Sequence, residues 1–322
     1  MQKCTIQCIF FILNCKFAHC KLRVAAAKSG CNGGGWFVEL VAALAINGLV
    51  WGLIIALIAL GLSIIFGLLD IINLAHGDFF MVGTVLTWFV FSSTGNYWLA
   101  FLIVPLIGLL LGALVERVVI QPIRGKAALS IVATFGLSII IQETVRATYG
   151  AAPKRILPPI EGTIPMFGLE YDIYRVFAAI VSIAAIAGFF LFLHRTKLGT
   201  WMRAVRVDRE TALAMGVPAT NVYILTFALG FAMASFGGVV AAPITTVEFQ
   251  TGIDVLPFCF MAVIIGGLGN LPGTVAAAVL LAVTEGIVTS FADPTIARIT
   301  SLCLMCLVLI LRPHGLFQGA TQ

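Results

Sequence analysis

Residues 61–81 read GLSIIFGLLDIINLAHGDFFM, and four polar side chains crowd the second half: Asp70, Asn73, His76 and Asp78, with Gly77 among them. A charged group at the centre of a bilayer costs about 2.5 kcal/mol or more, so such residues usually face a cavity, a partner or water. A His–Asp pair at this spacing could pass protons, or ligate a metal if a third ligand joined it. No third ligand is evident in the sequence, so no metal site is assigned. Two readings remain open for Asn73, His76 and Asp78. They line a path opened by a helix break, or they form a short interfacial turn in which Asp78 favourably starts the next helix.

A second group is a stripe. Ser130, Thr134, Ser138, Gln142 and Arg146 recur every four residues through one apolar stretch, which places them on one slowly winding ridge of a helix. Such a ridge faces a polar route or bonds to neighbouring helices. Ser and Thr can satisfy themselves on the preceding turn, but Gln142 and Arg146 cannot. That favours Thr134, Ser138 and Gln142 as further pathway-lining residues, while Glu143 and Arg146 are spaced to pair.

The third group is WMRAVRVDRETALAMG, 201–216, which carries both charge signs and has Ala, Leu and Met at helical spacing. A solvated amphipathic helix explains its composition, and so does a docking element for a cytoplasmic partner.

The elements that must hold these groups are membrane helices. The chain is 61% hydrophobic and only 10% charged, with a mean hydropathy of +1.09, whereas soluble domains carry about 25% charged residues. Apolar runs at about 38–69, 79–92, 97–116, 127–148, 173–193, 222–242, 255–267, 274–290 and 296–311 predict an all-α polytopic membrane protein of about eight transmembrane helices, some short or broken. The run 38–69 is too long for one perpendicular span and is expected to tilt, or to bend near Gly61 or Gly67. The transmembrane domain covers 38–317. Residues 1–37 form an N-terminal extension of unassigned role, and a metal site from Cys15, His19 and Cys20 there matches no common spacing.

Lys and Arg collect in 117–126 and 195–209, which are therefore cytoplasmic. The proline-rich loop 149–172 and the acidic turn 243–254 are then external. Alternation of spans puts the N-terminus outside, while the five Lys and Arg of the first 35 residues argue for inside. Two hydrophobic segments are interrupted, one at DIINLAHGD with Gly77, the other at GGLGNLPG with Gly266, Gly267, Gly269 and Pro272. Paired breaks in the two halves point to a transport site at an internal repeat. The net positive charge reflects membrane topology and not a nucleic-acid footprint.

Glu210-Thr211-Ala212, three residues and Gly216 match the Glu-Ala-Ala-x-x-x-Gly pattern of ATP-binding-cassette importer permeases, with Thr at the middle position. Together with INGLVWGLIIALIALGLSIIFGLLDIINLAHGDFFMVG, ERVVIQPIRGK, RAVRVDRETALAMGV, GGLGNLPGT and LRPHGLF, it makes residues 40–317 resemble the branched-chain amino acid permease family, of the LivH type. Asp78 stands where that family more often has Glu. The resemblance implies a multi-pass inner-membrane subunit of an importer for branched-chain amino acids or related small polar solutes. It implies four partners: a second homologous permease, two cytoplasmic ATP-binding subunits and an extracytoplasmic solute-binding protein. Arg203, Asp208, Glu210, Ala212 and Gly216, within the 194–216 segment, would couple to the ATPases. The chain has no Walker A pattern, so no catalytic residue, cofactor or metal is expected on it, and ATP belongs to the partners. A proton-coupled carrier using His76 and Asp78, and an intramembrane enzyme, are the competing classes. The spans offer no nucleophile–base or metal set for the latter.

Overall fold

The computed structural model describes residues 35–166, 169–312 and 315–316. The expectations for residues 1–34, the Cys15–His19–Cys20 site included, lie outside the described residues.

Eleven helices and one small hairpin make up the described chain, which is all-α apart from that hairpin. In hydrocarbon every backbone polar group must be satisfied within the segment, so apolar runs become helices. Helix α1, Gly35–Leu69, runs without interruption. Its apolar part, Val41–Leu69, has 29 residues, about 43 Å at the usual rise, so it exceeds the bilayer core and must tilt. The helix is continuous through Gly61 and Gly67. Those glycines serve close approach, Gly61 to the backbone of Gly230 and Gly67 to that of Gly269.

Chain direction reverses after α1. Asp70, exposed and in the left-handed region (φ 52°), closes the helix, and residues 71–73 run without regular structure. Helix α2, His76–Thr94, follows, and its polar first turn lowers its hydropathy. Helix α3, Ala100–Val115, continues through a π turn at Glu116–Ile120. Helix α4, Ala127–Tyr149, precedes strands β1, Thr163–Met166, and β2, Leu169–Asp172, which pair antiparallel with Thr163 opposite Asp172. Helix α5, Ile173–Arg195, leads to two short helices, α6, Lys197–Val207, and α7, Arg209–Ala214. Helices α8, Ala219–Ala241, α9, Thr251–Gly266, α10, Leu271–Val288, and α11, Pro294–Leu311, complete the fold. Among the described residues seven helical stretches are long and apolar enough to span a membrane, and α9 is a shorter eighth.

Two helices form the hub. The apolar windows of α1 and α8 are 78% and 72% buried, against 17% for α4 and α11, so the outer helices turn most of their surface away from the bundle. Small residues let the hub close: a Cβ on Gly48, Gly52 or Gly61 would strike the backbone of α10 or α8.

The contacts agree with the expected sidedness. Lys154 and Val247 exchange backbone hydrogen bonds of 3.0 and 2.9 Å, joining the two loops read as external. The Arg124 guanidinium lies 4.2 Å from the Tyr223 ring, joining the basic segment 117–126 to the start of α8, the helix that follows the other basic segment. Helix α10 runs antiparallel to α1: Ser63 meets Thr274 near one end, and Gly286 meets Leu44 near the other. The start of α1 therefore lies on the side of the β hairpin, as alternation required.

Candidate functional site

The polar residues of 70–78 and the stripe on α4 are partners in one seam. Thr134 Oγ1 accepts a 3.2 Å hydrogen bond from the Leu74 amide. Gln142 Nε2 donates to Asp78 Oδ1 and to Ser138 Oγ, both at 2.9 Å. Ser138 also lies beside the Asp78 carboxylate. Ser130 bonds back to the Lys126 carbonyl, and Arg146 pairs with Glu143 at 3.3 Å on the exposed side. The ridge is thus the contact by which an otherwise lipid-facing span grips the turn. Asn73, His76, Ser130 and Thr134 are fully buried, and Asp78 and Ser138 nearly so. They line no open channel in this conformation.

The break is also built differently from the sequence expectation. Gly77 lies inside the first turn of α2, and the chain reversal is made at Asp70. Asn73 Oδ1 accepts from the Ala75 amide at 3.1 Å and so starts the turn. His76 Nε2 is 3.0 Å from the carbonyl of Ile58, three turns before the end of α1, so the segment climbs back along α1 before α2 begins. Two buried nitrogens, Asn73 Nδ2 and His76 Nδ1, have no hydrogen-bond partner among the described residues. Nor do any three His, Cys, Asp or Glu residues cluster there as metal ligands.

Gly77 has a different job. A Cβ on it would come within 2.3 Å of the Gly252 carbonyl oxygen, and one on Gly252 within 2.7 Å of Asp78 Oδ1. The first interrupted segment therefore packs backbone to backbone on the start of α9, the helix that runs into the second interruption. Gly252 was not singled out from sequence, and TGID before a short apolar run was its only signal. At the second break, Gly267 and Gly269 adopt φ 94° and 79°, and Asn270 caps α10 through a 3.2 Å bond from the Gly273 amide. Gly266 packs against the backbone of Gly273 and Thr274, and Pro272 occupies the first turn of α10.

The 197–216 region is a helix pair and not the continuous 201–216 helix the sequence suggested. Asp208 adopts extended backbone between α6 and α7 and caps α7, accepting from the amides of Glu210 and Thr211 at 2.9 and 3.1 Å. Those bonds and the Thr211 hydroxyl hold its carboxyl below the ordinary carboxylate range, the hydroxyl contributing most. Ala212 is buried, Glu210 is exposed, and Gly216 closes α7 at φ 83°. Arg203 bonds the Leu193 carbonyl at the end of α5. Helix α6 packs against α1, α5 and α8. A further residue, Arg206, places its guanidinium against Gly269 and Gly67, so this helix touches the second break directly.

Interrupted membrane helices around a buried polar seam, with a charged helix pair at one end, define a multi-pass membrane permease. Residues 44–311 match the family model of the branched-chain amino acid transport system permease component, and the chain belongs to that family. It is 27% identical to the high-affinity branched-chain amino acid transport permease LivH of Salmonella typhimurium, over 84% of this chain and 93% of the relative. To BraD of Pseudomonas aeruginosa, another such permease, it is 28% identical over 84% of this chain and 94% of the relative. The Salmonella typhimurium permease LivM matches at 25% identity over 82% of this chain and 68% of its own length. No solved structure matches the chain.

Proposed function

We propose that this chain is one membrane subunit of an ATP-driven importer for branched-chain amino acids. Its similarity to relatives named as branched-chain amino acid permeases over almost their whole length carries the reading. It works beside a second, LivM-like permease, with two ATP-binding subunits on the cytoplasmic face and a solute-binding protein outside. In this reading ATP acts on the partners, and no ATPase site, catalytic residue or cofactor is assigned to this chain.

Arg203, Asp208, Glu210, Ala212 and Gly216 form the coupling surface. Closure of the ATPase pair pushes the α6–α7 pair, and α6 passes the movement to α1, α5 and α8. Arg206 passes it to the break at Gly267–Asn270. The Gly77–Gly252 contact links that movement to the first break, where Asn73, His76, Asp78, Thr134, Ser138 and Gln142 stand beside the route. Their seam supports this reading, because its parting would expose polar groups to a solute inside an apolar bundle.

The test is reconstitution in proteoliposomes of the chain with a LivM-like permease, two ATP-binding subunits and a solute-binding protein. Leucine uptake should require ATP and fall in Gly216→Val, which strains the left-handed closure of α7 by about 1–2 kcal/mol while leaving the spans folded. Uptake by the isolated chain under a proton gradient, without ATPases, would overturn the proposal.

A further inference from the structure

A pocket of about 340 Å³ opens between the outer ends of α1, α5 and α10 and the start of α11, away from the seam of 70–78. That volume is within the about 300–1,000 Å³ of small-molecule sites. Its lining combines two cations, one anion and two large aromatic rings: Arg175, Arg298, Glu285, Trp51 and Phe258. The Arg175 guanidinium is fixed in the wall by a 2.7 Å bond to Asn47 Oδ1 and a 3.4 Å contact with Asp172. Arg298 is held 3.5 Å from Asp254 and 5.1 Å from the Phe258 ring, and it interacts electrostatically with Glu285. The Glu285 carboxylate makes no hydrogen bond among the described residues, although it is half-buried.

A ligand for this lining needs an anionic and a cationic end, separated by little, and an apolar body. An anion alone would leave Glu285 opposed to it, and a cation alone would meet two guanidiniums. We propose that the pocket is an entry site for a zwitterionic α-amino acid, with the carboxylate on Arg175, the ammonium on Glu285 and the apolar side chain against Trp51 and Phe258. It deepens the transport reading and rests on it. Asn47 is a positioning residue, since it acts by holding Arg175.

The full-length chain in phosphatidylcholine nanodiscs should bind radiolabelled leucine saturably in a scintillation proximity assay. Glu285→Gln should weaken leucine about tenfold, the worth of one charge-assisted hydrogen bond, and strengthen competition by 4-methylpentanoate, which lacks the amine and is opposed by the native carboxylate. Arg175→Met should weaken leucine and 4-methylpentanoate together, while competition by 3-methylbutylamine persists. Elution as a single species checks the fold, and Glu285→Asp, which keeps the charge, should bind more tightly than Glu285→Gln. Absence of saturable binding, or indifference of leucine to Glu285→Gln, overturns the site. Loss of leucine binding in phosphatidylethanolamine nanodiscs would also overturn it, assigning the pocket to a lipid headgroup. If the assembled transporter still imports leucine with ATP when the site fails, the transport reading survives alone. If ATP-driven import fails too, both fall.

Discussion

The contact between Gly77 and Gly252 offers a direct test of whether the two interrupted segments move as one. In Gly77→Ala the added methyl would lie 2.3 Å from the Gly252 carbonyl oxygen and 2.9 Å from Leu256 Cβ. The first obstacle is backbone, so relief requires α2 and α9 to separate by about 1 Å to reach van der Waals distance. Overpacking of this kind costs about 1–3 kcal/mol. Asp78 is the next residue, and stretching its 2.9 Å bond to Gln142 adds about 1 kcal/mol. The sum of about 2–4 kcal/mol corresponds to a fall in Tm of roughly 3–6 °C for a chain of this length. Intrinsic tryptophan fluorescence during heating in detergent measures it. Gly136→Ala and Gly188→Ala are matched controls, because a Cβ at either meets nothing within 4 Å. In those helix interiors alanine should be neutral or stabilising by about 0.5–1 kcal/mol. Gly252→Ala forces the same separation, so the double variant Gly77→Ala/Gly252→Ala should cost less than the sum of the singles. Equal Tm values for Gly77→Ala and Gly136→Ala, or strict additivity in the double variant, would refute the contact.

Three further perturbations address the seam and the coupling end. Gln142→Leu removes the donor to a carboxylate that is 2% exposed, at about 1–3 kcal/mol; Asp78→Asn, which keeps an acceptor for Gln142, should retain more thermal stability and uptake than Asp78→Leu. Gly269→Ala sets a Cβ 2.5 Å from Arg206 Nη2 and strains the left-handed backbone at φ 79°, so leucine uptake should fall while ATPase binding persists. Asp208 has its carboxyl held below the ordinary range by the Thr211 hydroxyl and the α7 amides. The folded pKa is the lower one, so its stabilisation of the cap is complete above the unfolded value of about 4 and is lost as pH falls through the folded value. Limited proteolysis at 197–216 should therefore accelerate below about pH 4, and Asp208→Ala should show the faster cleavage already at pH 7. Cleavage rates independent of pH in both proteins would remove Asp208 from its capping role.

Much of the scaffold was legible because membrane helices report themselves twice, by apolar length and by where Lys and Arg collect. The ends of α4, α5 and α10 fall within a few residues of the runs read from sequence. The region between α5 and α8 was legible in composition but not in shape. Asp208 splits it into two helices because a side chain that caps amides on its C-terminal side favours extended backbone at its own position. Glycine misled in the opposite sense. Gly61, Gly67 and Gly77 read as flexible points, yet all three lie in helices, where the absence of a side chain serves contact with a backbone distant in sequence. That distinction depends on the partner, and no local pattern around Gly77 encodes Gly252.

The polar stripe on α4 carries the same lesson into function. A ridge of Ser, Thr and Gln along an apolar helix is equally good at lining water and at gripping another helix, because both tasks ask only for hydrogen-bonding groups on one face. The deciding fact is what stands opposite. Here it is the irregular segment 70–75, whose amides lack a helix to satisfy them, and Thr134 meets the Leu74 amide. The stripe and the break therefore explain each other: irregular backbone survives inside a membrane only where protein polar groups complete it. Since α4 has little other purchase on the bundle, a movement of the break that loosens these few bonds also frees a whole span, with Asn73 and His76 already holding unpaired nitrogens at the point of parting. An opening of that kind exposes hydrogen-bonding groups without unfolding any helix, which is what a route for a zwitterion through an apolar bundle requires.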